Sequence, residues 1–186
     1  MPMPYEYAPG LPIRQNLILP DGQVRRVPIN PQAPDAWTII GAIETVIDTF
    51  GRDPAIRAFA VSLLNSRLDN DVARHVRRIT DWVKSHMVYL ADPDGSEFIQ
   101  TPVILLQQIQ LKGVDYGDCD DHVVLLGALL RAIGVPAHPV AVKLNPQSPV
   151  FDHVVIEYPS QGEMVIIDPC AKNVAAPHYF ERLRVA

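Results

Sequence analysis

Tyr116-Gly117-Asp118-Cys119-Asp120-Asp121-His122 runs directly into the apolar stretch Val123 to Ile133, which stops at Gly134-Val135-Pro136. The recurrence of Val123, Leu126, Leu130 and Ile133 predicts a helix, with Asp118 as N-cap, Gly134 at C′ and Pro136 just past the end. Cys119 then falls on the first turn. The leading N–H groups of a helix lack internal partners, and the helix dipole places partial positive charge there, so a thiolate is favoured at that position. A lone cysteine is otherwise a small buried hydrophobe, and only a partner separates the two readings.

Strand register supplies one. Phe151 to Tyr158 and Glu163 to Asp168 are rich in β-branched residues and flank Pro159-Ser160-Gln161-Gly162, which reads as the loop of an antiparallel hairpin. With Tyr158 opposite Glu163, Ile156 faces Val165 and His153 faces Asp168. Cβ atoms of such cross-strand neighbours lie roughly 4.5 to 5.5 Å apart, so the carboxylate can orient the imidazole. A slip of one residue would send His153 to the other face. A structural ion pair at a strand end is the alternative, since both residues lie among apolar neighbours where an unpaired polar group is costly.

Four stretches now resemble one family. Gly117-Asp118-Cys119-Asp120-Asp121, Leu129 to Ala137, Asp152-His153-Val154 and Asp168-Pro169 are similar, in that order, to the transglutaminase-like (papain-related) cysteine proteins over about residues 75 to 170. The resemblance implies Cys119 as nucleophile, His153 as base and Asp168 as the residue that orients it. Tyr89 to Pro93 and Gln100-Thr101-Pro102 resemble the bacterial and bacteriophage branch. Two positions depart from many catalytic members. Val154 and Val155 stand where an aromatic residue is common, and no aromatic or glutamine oxyanion donor lies just before the cysteine.

In such a triad His153 takes the proton of Cys119, the thiolate attacks an amide or ester carbonyl, and water or an amine resolves the thioester. Hydrolysis and crosslinking both stay open. Asp118, Asp120 and Asp121 crowd the thiol, and like charge opposes the helix end and a protonated His153, so the net effect on the thiol is also open. Asp118 serves mainly as the cap. Consecutive helical residues diverge by about 100°, so Asp120, Asp121 and His122 do not converge on an ion, and neither metal nor cofactor is expected. His122 is expected to face solvent or neighbouring elements.

At 186 residues with 48% hydrophobic content, the chain is expected to bury one core. A net charge of −5 argues against a general nucleic-acid surface, and Arg74, Arg77 and Arg78 read as a solvated helix face. Two cysteines, no long apolar run and no signal-like start suggest a cytoplasmic protein without membrane contact, incorporation into a phage particle being a further setting. Residues 1–36 hold eight of the eighteen prolines and read as an extended arm, with a hairpin-like piece around Pro20-Asp21-Gly22. Such an arm suits a protein partner.

Residues 37–186 read as one domain of α+β class. Helices are expected over 36–50, 54–68, 71–84 and 101–111, with a short strand over 87–90 and another over 137–144. Residues 112–117 are expected to form a loop delivering Cys119, and the cysteine helix packs on an antiparallel sheet of at least three strands, as in papain. The leading function is a cysteine peptidase or amidase acting on peptide or protein amides through Cys119, His153 and Asp168. The alternative is a non-catalytic assembly or scaffold protein, a bacteriophage particle being one setting for it.

Overall fold

A computed structural model describes residues 36–64, 71–92, 98–171 and 182–183, with the backbone of 14–18 and 24–28. Five helices are α1 (Ala36–Phe50), α2 (Pro54–Ser62), α3 (Val72–His86), α4 (Pro102–Lys112) and α5 (Cys119–Ala132). Eight strands are β1 (Arg14–Ile18), β2 (Val24–Pro28), β3 (Met87–Tyr89), β4 (Asp115–Gly117), β5 (His138–Val142), β6 (His153–Ser160), β7 (Glu163–Ile167) and β8 (Arg182–Leu183). The arm's hairpin is the antiparallel β1–β2 pair. The rest of the arm before Ala36 lies outside the described residues, as do residues 65–68, and the helix expected over 54–68 ends at Ser62, where Leu63 caps it with its N–H turned back on the Phe59 and Ala60 carbonyls.

The cysteine helix is the axis of the molecule. Val123, Leu126, Leu130 and Ile133 mark the helix, and burial extends all round it: every residue from Asp120 to Leu130 is buried. The reason is its position: α1, α2, α3 and α4 pack around α5, and β6 closes the remaining side. Gly127 admits Ile47 of α1, whose Cδ1 would lie 2.5 Å from a Cβ added there. The caps hold as the sequence implies. Asp118 Oδ1 accepts the Asp120 N–H at 3.1 Å, and Gly134 adopts φ 86° beyond the last turn. Arg131 fastens this end to α1 and β5 through ion pairs with Glu44 and Asp48 and an Nε–H bond to the Ala137 carbonyl at 2.8 Å.

The main sheet has the order β7-β6-β5-β8, all antiparallel. Its hairpin corrects the expected register. Ser160 pairs with Glu163 and Ile156 with Ile167, so the loop is the two residues Gln161 and Gly162, both at positive φ. Positive φ at both central residues is the turn that matches strand twist. Pro159 joins the strand because it lies past the end of β5, where β6 has only β7 beside it. A shift of two residues keeps every side chain on its face. Asp168, one residue beyond β7, therefore shares a face with His153 as a diagonal rather than a direct neighbour.

The expected loop over 112–117 contains a strand. β4 pairs in parallel with β3, Tyr89 lying beside Gly117, and Leu90 N–H donates to the Gly117 carbonyl at 2.9 Å. Arg74, Arg77 and Arg78 are exposed on α3, Arg78 donating to the Leu64 carbonyl at 3.1 Å. Among the described residues, no helix is long and apolar enough to cross a membrane.

Candidate active site

His153 opens β6, where it pairs with Val142 of β5. The preceding residue fixes that start, because Asp152 Oδ1 accepts the Leu144 N–H at 2.8 Å and closes the loop between the two strands. His153 Nε2 lies 3.0 Å from Asp168 Oδ2, with side chains only 9% and 6% exposed. The other carboxylate oxygen, Oδ1, accepts the N–H groups of Cys170 at 2.8 Å and Ala171 at 3.2 Å. Asp168 thus cannot swing without losing three bonds. An ionised carboxylate only accepts, so Nε2 carries the proton and Nδ1 the lone pair.

Cys119 is the first residue of α5 and packs, half-buried, against the main core. Cys170 links it to the pair: burial pushes the Cys170 thiol well up, and the charges of Asp168, Cys119 and Asp118 add to the effect. Asp168 and Cys119 thus both act on the same Cys170 thiol. A thiol held so firmly protonated is a poor nucleophile.

The expectation for the acidic residues needs correction. Carboxylate oxygens of Asp118, Asp120 and Asp121 lie within 4.8 Å of one another, whereas His122 is turned away into the core. Skipping from the cap to the first turn lets Asp118 reach its neighbours in a way three consecutive helical residues cannot. His122 is buried rather than solvent-facing. Its Nδ1–H donates to the Asp118 carbonyl at 2.7 Å, and burial lowers its pKa, which keeps the ring neutral.

Residues 58–169 match the family model of the transglutaminase-like superfamily. The chain belongs to that superfamily. Its mixed helix-and-sheet architecture is similar to that of a provisionally named protease of Parabacteroides distasonis, at 13% identity and a TM-score of 0.55, over 86% of this chain and 36% of that one. Two further structures are a provisionally named cysteine protease of Cytophaga hutchinsonii and the periplasmic domain of TgpA from Pseudomonas aeruginosa, solved with ethylmercury. The first has 23% identity and a TM-score of 0.46, over 70% of this chain and 42% of that one. The second has 17% identity and a TM-score of 0.44, over 67% and 48%. This transglutaminase-like chain spans less than half the length of each. No curated protein matches it.

Two side chains of this transglutaminase-like site have surroundings that the sequence did not suggest. Tyr89, 51% exposed at the end of β3, has its phenol pKa raised first by burial and then by the charge of Cys119, with Asp118 and Cys170 contributing. It remains an O–H donor. Asp121 is buried, and burial pushes its carboxyl up to about 7.

That shift has a sign. The folded value exceeds the unfolded one of about 3.9, so Asp121 contributes stability that is fully present below that value and is lost as pH rises through about 7. His122 acts oppositely, since its stabilising share is lost only as pH falls below the ordinary histidine value of about 6.5. Between pH 6.5 and 8, about where only the first term changes, the melting temperature should fall, and Asp121→Asn should flatten that slope. Calorimetry in this window checks it, and a rising melting temperature would contradict the assignment.

Proposed function

We propose that this chain is a cysteine acyl-transfer enzyme, a peptidase or amidase in the first instance, with Cys119 as nucleophile, His153 as base and Asp168 as its orienter. The observation that carries the reading is the buried contact between His153 Nε2 and Asp168 Oδ2 at 3.0 Å, which leaves Nδ1 as the basic nitrogen. Cys119 at the start of α5 and its superfamily support it.

The steps balance. The Cys119 proton passes to His153 Nδ1, and the sulfur forms a bond to the amide carbonyl carbon. The resulting oxyanion is met by the Cys119 backbone N–H, and Tyr89, which pairs with Gly117 two residues before the cysteine and whose phenol stays protonated, is the second donor of this reading. Collapse breaks the C–N bond, His153 returns its proton to the departing amine, and a thioester remains on Cys119. Water, deprotonated by His153 Nδ1, adds to the thioester carbonyl, the C–S bond breaks to release the acid, and the proton returns from His153 to the Cys119 sulfur; a lysine amine in place of water would give a crosslink.

The test is the pH dependence of Cys119 alkylation by iodoacetamide, followed by mass spectrometry in the native protein and in His153→Ala. A midpoint well below the free-cysteine value of about 8.5, lost with the histidine, is expected. An ordinary thiol indifferent to His153 would refute the reading.

A further inference from the structure

Asp121 joins the turn just before its own helix to Gln100, 21 residues away in sequence. Its Oδ1 accepts the backbone N–H of Gln100 at 2.7 Å and its Oδ2 accepts Gln100 Nε2–H at 3.1 Å. The same Nε2 donates to the Tyr116 carbonyl at 3.1 Å. The carboxylate also lies against the Cα of Gly117, for a Cβ added there would sit 2.3 Å from Oδ2 and 2.8 Å from Cγ. One side chain, 2% exposed, thus ties the segment before α4 and the end of β4 to the first turn of α5.

The demand on this position is specific. Both hydrogen bonds come from one residue, one from its backbone and one from its side chain, and two carboxylate oxygens accept both. An asparagine accepts only one and sets its own N–H₂ against that of Gln100. Between Gly117 and Asp121 lie Asp118, whose side chain caps the helix from the other side, and Cys119 itself. The turn that carries the nucleophile is held at both flanks.

We propose that Asp121 is a positioning residue: through Gln100 it fixes the turn from Tyr116 to Cys119, and so sets where the Cys119 thiol and backbone N–H stand relative to His153. This rests on the acyl-transfer reading. A purely electrostatic role predicts the opposite sign, because a nearby negative charge disfavours a thiolate and its removal would make Cys119 easier to ionise.

The experiment compares iodoacetamide alkylation of Cys119 across pH in the full chain and in Asp121→Asn, Gln100→Met and the double variant Asp121→Asn with Gln100→Glu. Melting curves and hydrogen exchange at the Gln100 amide accompany it. Asp121→Asn should slow alkylation at neutral pH by about tenfold and raise its midpoint, since small misplacements of reacting groups carry large rate penalties. The double variant restores a side-chain pair of reversed polarity to position 121 but gives up the Nε2–H bond to the Tyr116 carbonyl, so a partial recovery is the result that supports the pairing. Gln100→Met keeps the backbone bond and should give a smaller effect in a folded protein. A lowered midpoint or unchanged reactivity in Asp121→Asn overturns the proposal. His153→Ala run alongside separates the two questions: if it leaves native alkylation unchanged, the acyl-transfer reading fails, while Gln100 exchange still reports whether Asp121 holds the turn.

Discussion

Asp168→Asn should reduce acyl transfer by about 10⁴-fold while leaving the chain folded. The substitution keeps an oxygen at the position that accepts the Cys170 and Ala171 N–H groups, so the turn after β7 survives. What changes is the atom facing His153. An amide N–H₂ there offers a donor to Nε2, which can answer only as an acceptor, and the ring proton moves to Nδ1. The imidazole then meets Cys119 with the wrong nitrogen protonated. Alkylation of Cys119 at pH 6 to 7 should drop to the rate of an isolated thiol, the range where an ordinary thiol of pKa about 8.5 is almost wholly protonated. Asp168→Ala should do the same to the chemistry and also destabilise the fold, because it strips the acceptor from two backbone N–H groups and from a buried imidazole. Equal activity in Asp168→Asn and the native chain would remove Asp168 from the mechanism.

The two substitutions separate because Asp168 has two oxygens with different employers, a fact the sequence does not carry. What it does carry is local. The caps and the stop of α5 are legible because Asp118, Gly134 and Pro136 act within a turn of the helix they delimit. The burial of α5 is legible in the apolar stretch from Val123 to Ile133, but which elements surround it is not, since those helices lie far away in the chain. Pro159 misled the hairpin: a proline three residues before a glycine reads as a loop, and only the early end of β5 frees it to stay in the strand. The shared face of His153 and Asp168 nonetheless survived the wrong register, because the error was an even number of residues. The placement of Tyr89 and Asp121 was not legible for a common reason. The first approaches Cys119 through the parallel pairing of β3 with β4, and the second works through Gln100, so both depend on long-range placement that periodicity cannot reveal.

Gly117→Ala is expected to be the most damaging single methyl group in the molecule outside the core helices. Gly117 has no unusual backbone conformation to protect; its constraint is space. The added Cβ would lie 2.3 Å from Asp121 Oδ2, 2.5 Å from Asp121 Cβ and 2.8 Å from Cγ, so the whole carboxylate arm has to leave and not merely its tip. Asp121 sits on a helix packed on every side and cannot back away. Its departure strands two N–H groups of Gln100 and one charge-bearing side chain in a buried place, adding about 1 to 3 kcal/mol to an overpacking cost of similar size. A total loss of about 3 kcal/mol should appear in denaturant unfolding, together with a loss of Cys119 reactivity like that of Asp121→Asn. Gly113→Ala is the control, with φ 86° but nothing within 4 Å of the added carbon. It should cost only the left-handed backbone term, about 1 kcal/mol, and leave Cys119 untouched. If the two alanines destabilise alike, the close approach of Asp121 to Gly117 is not what holds the nucleophile's turn, and the positioning role of Asp121 loses its steric half.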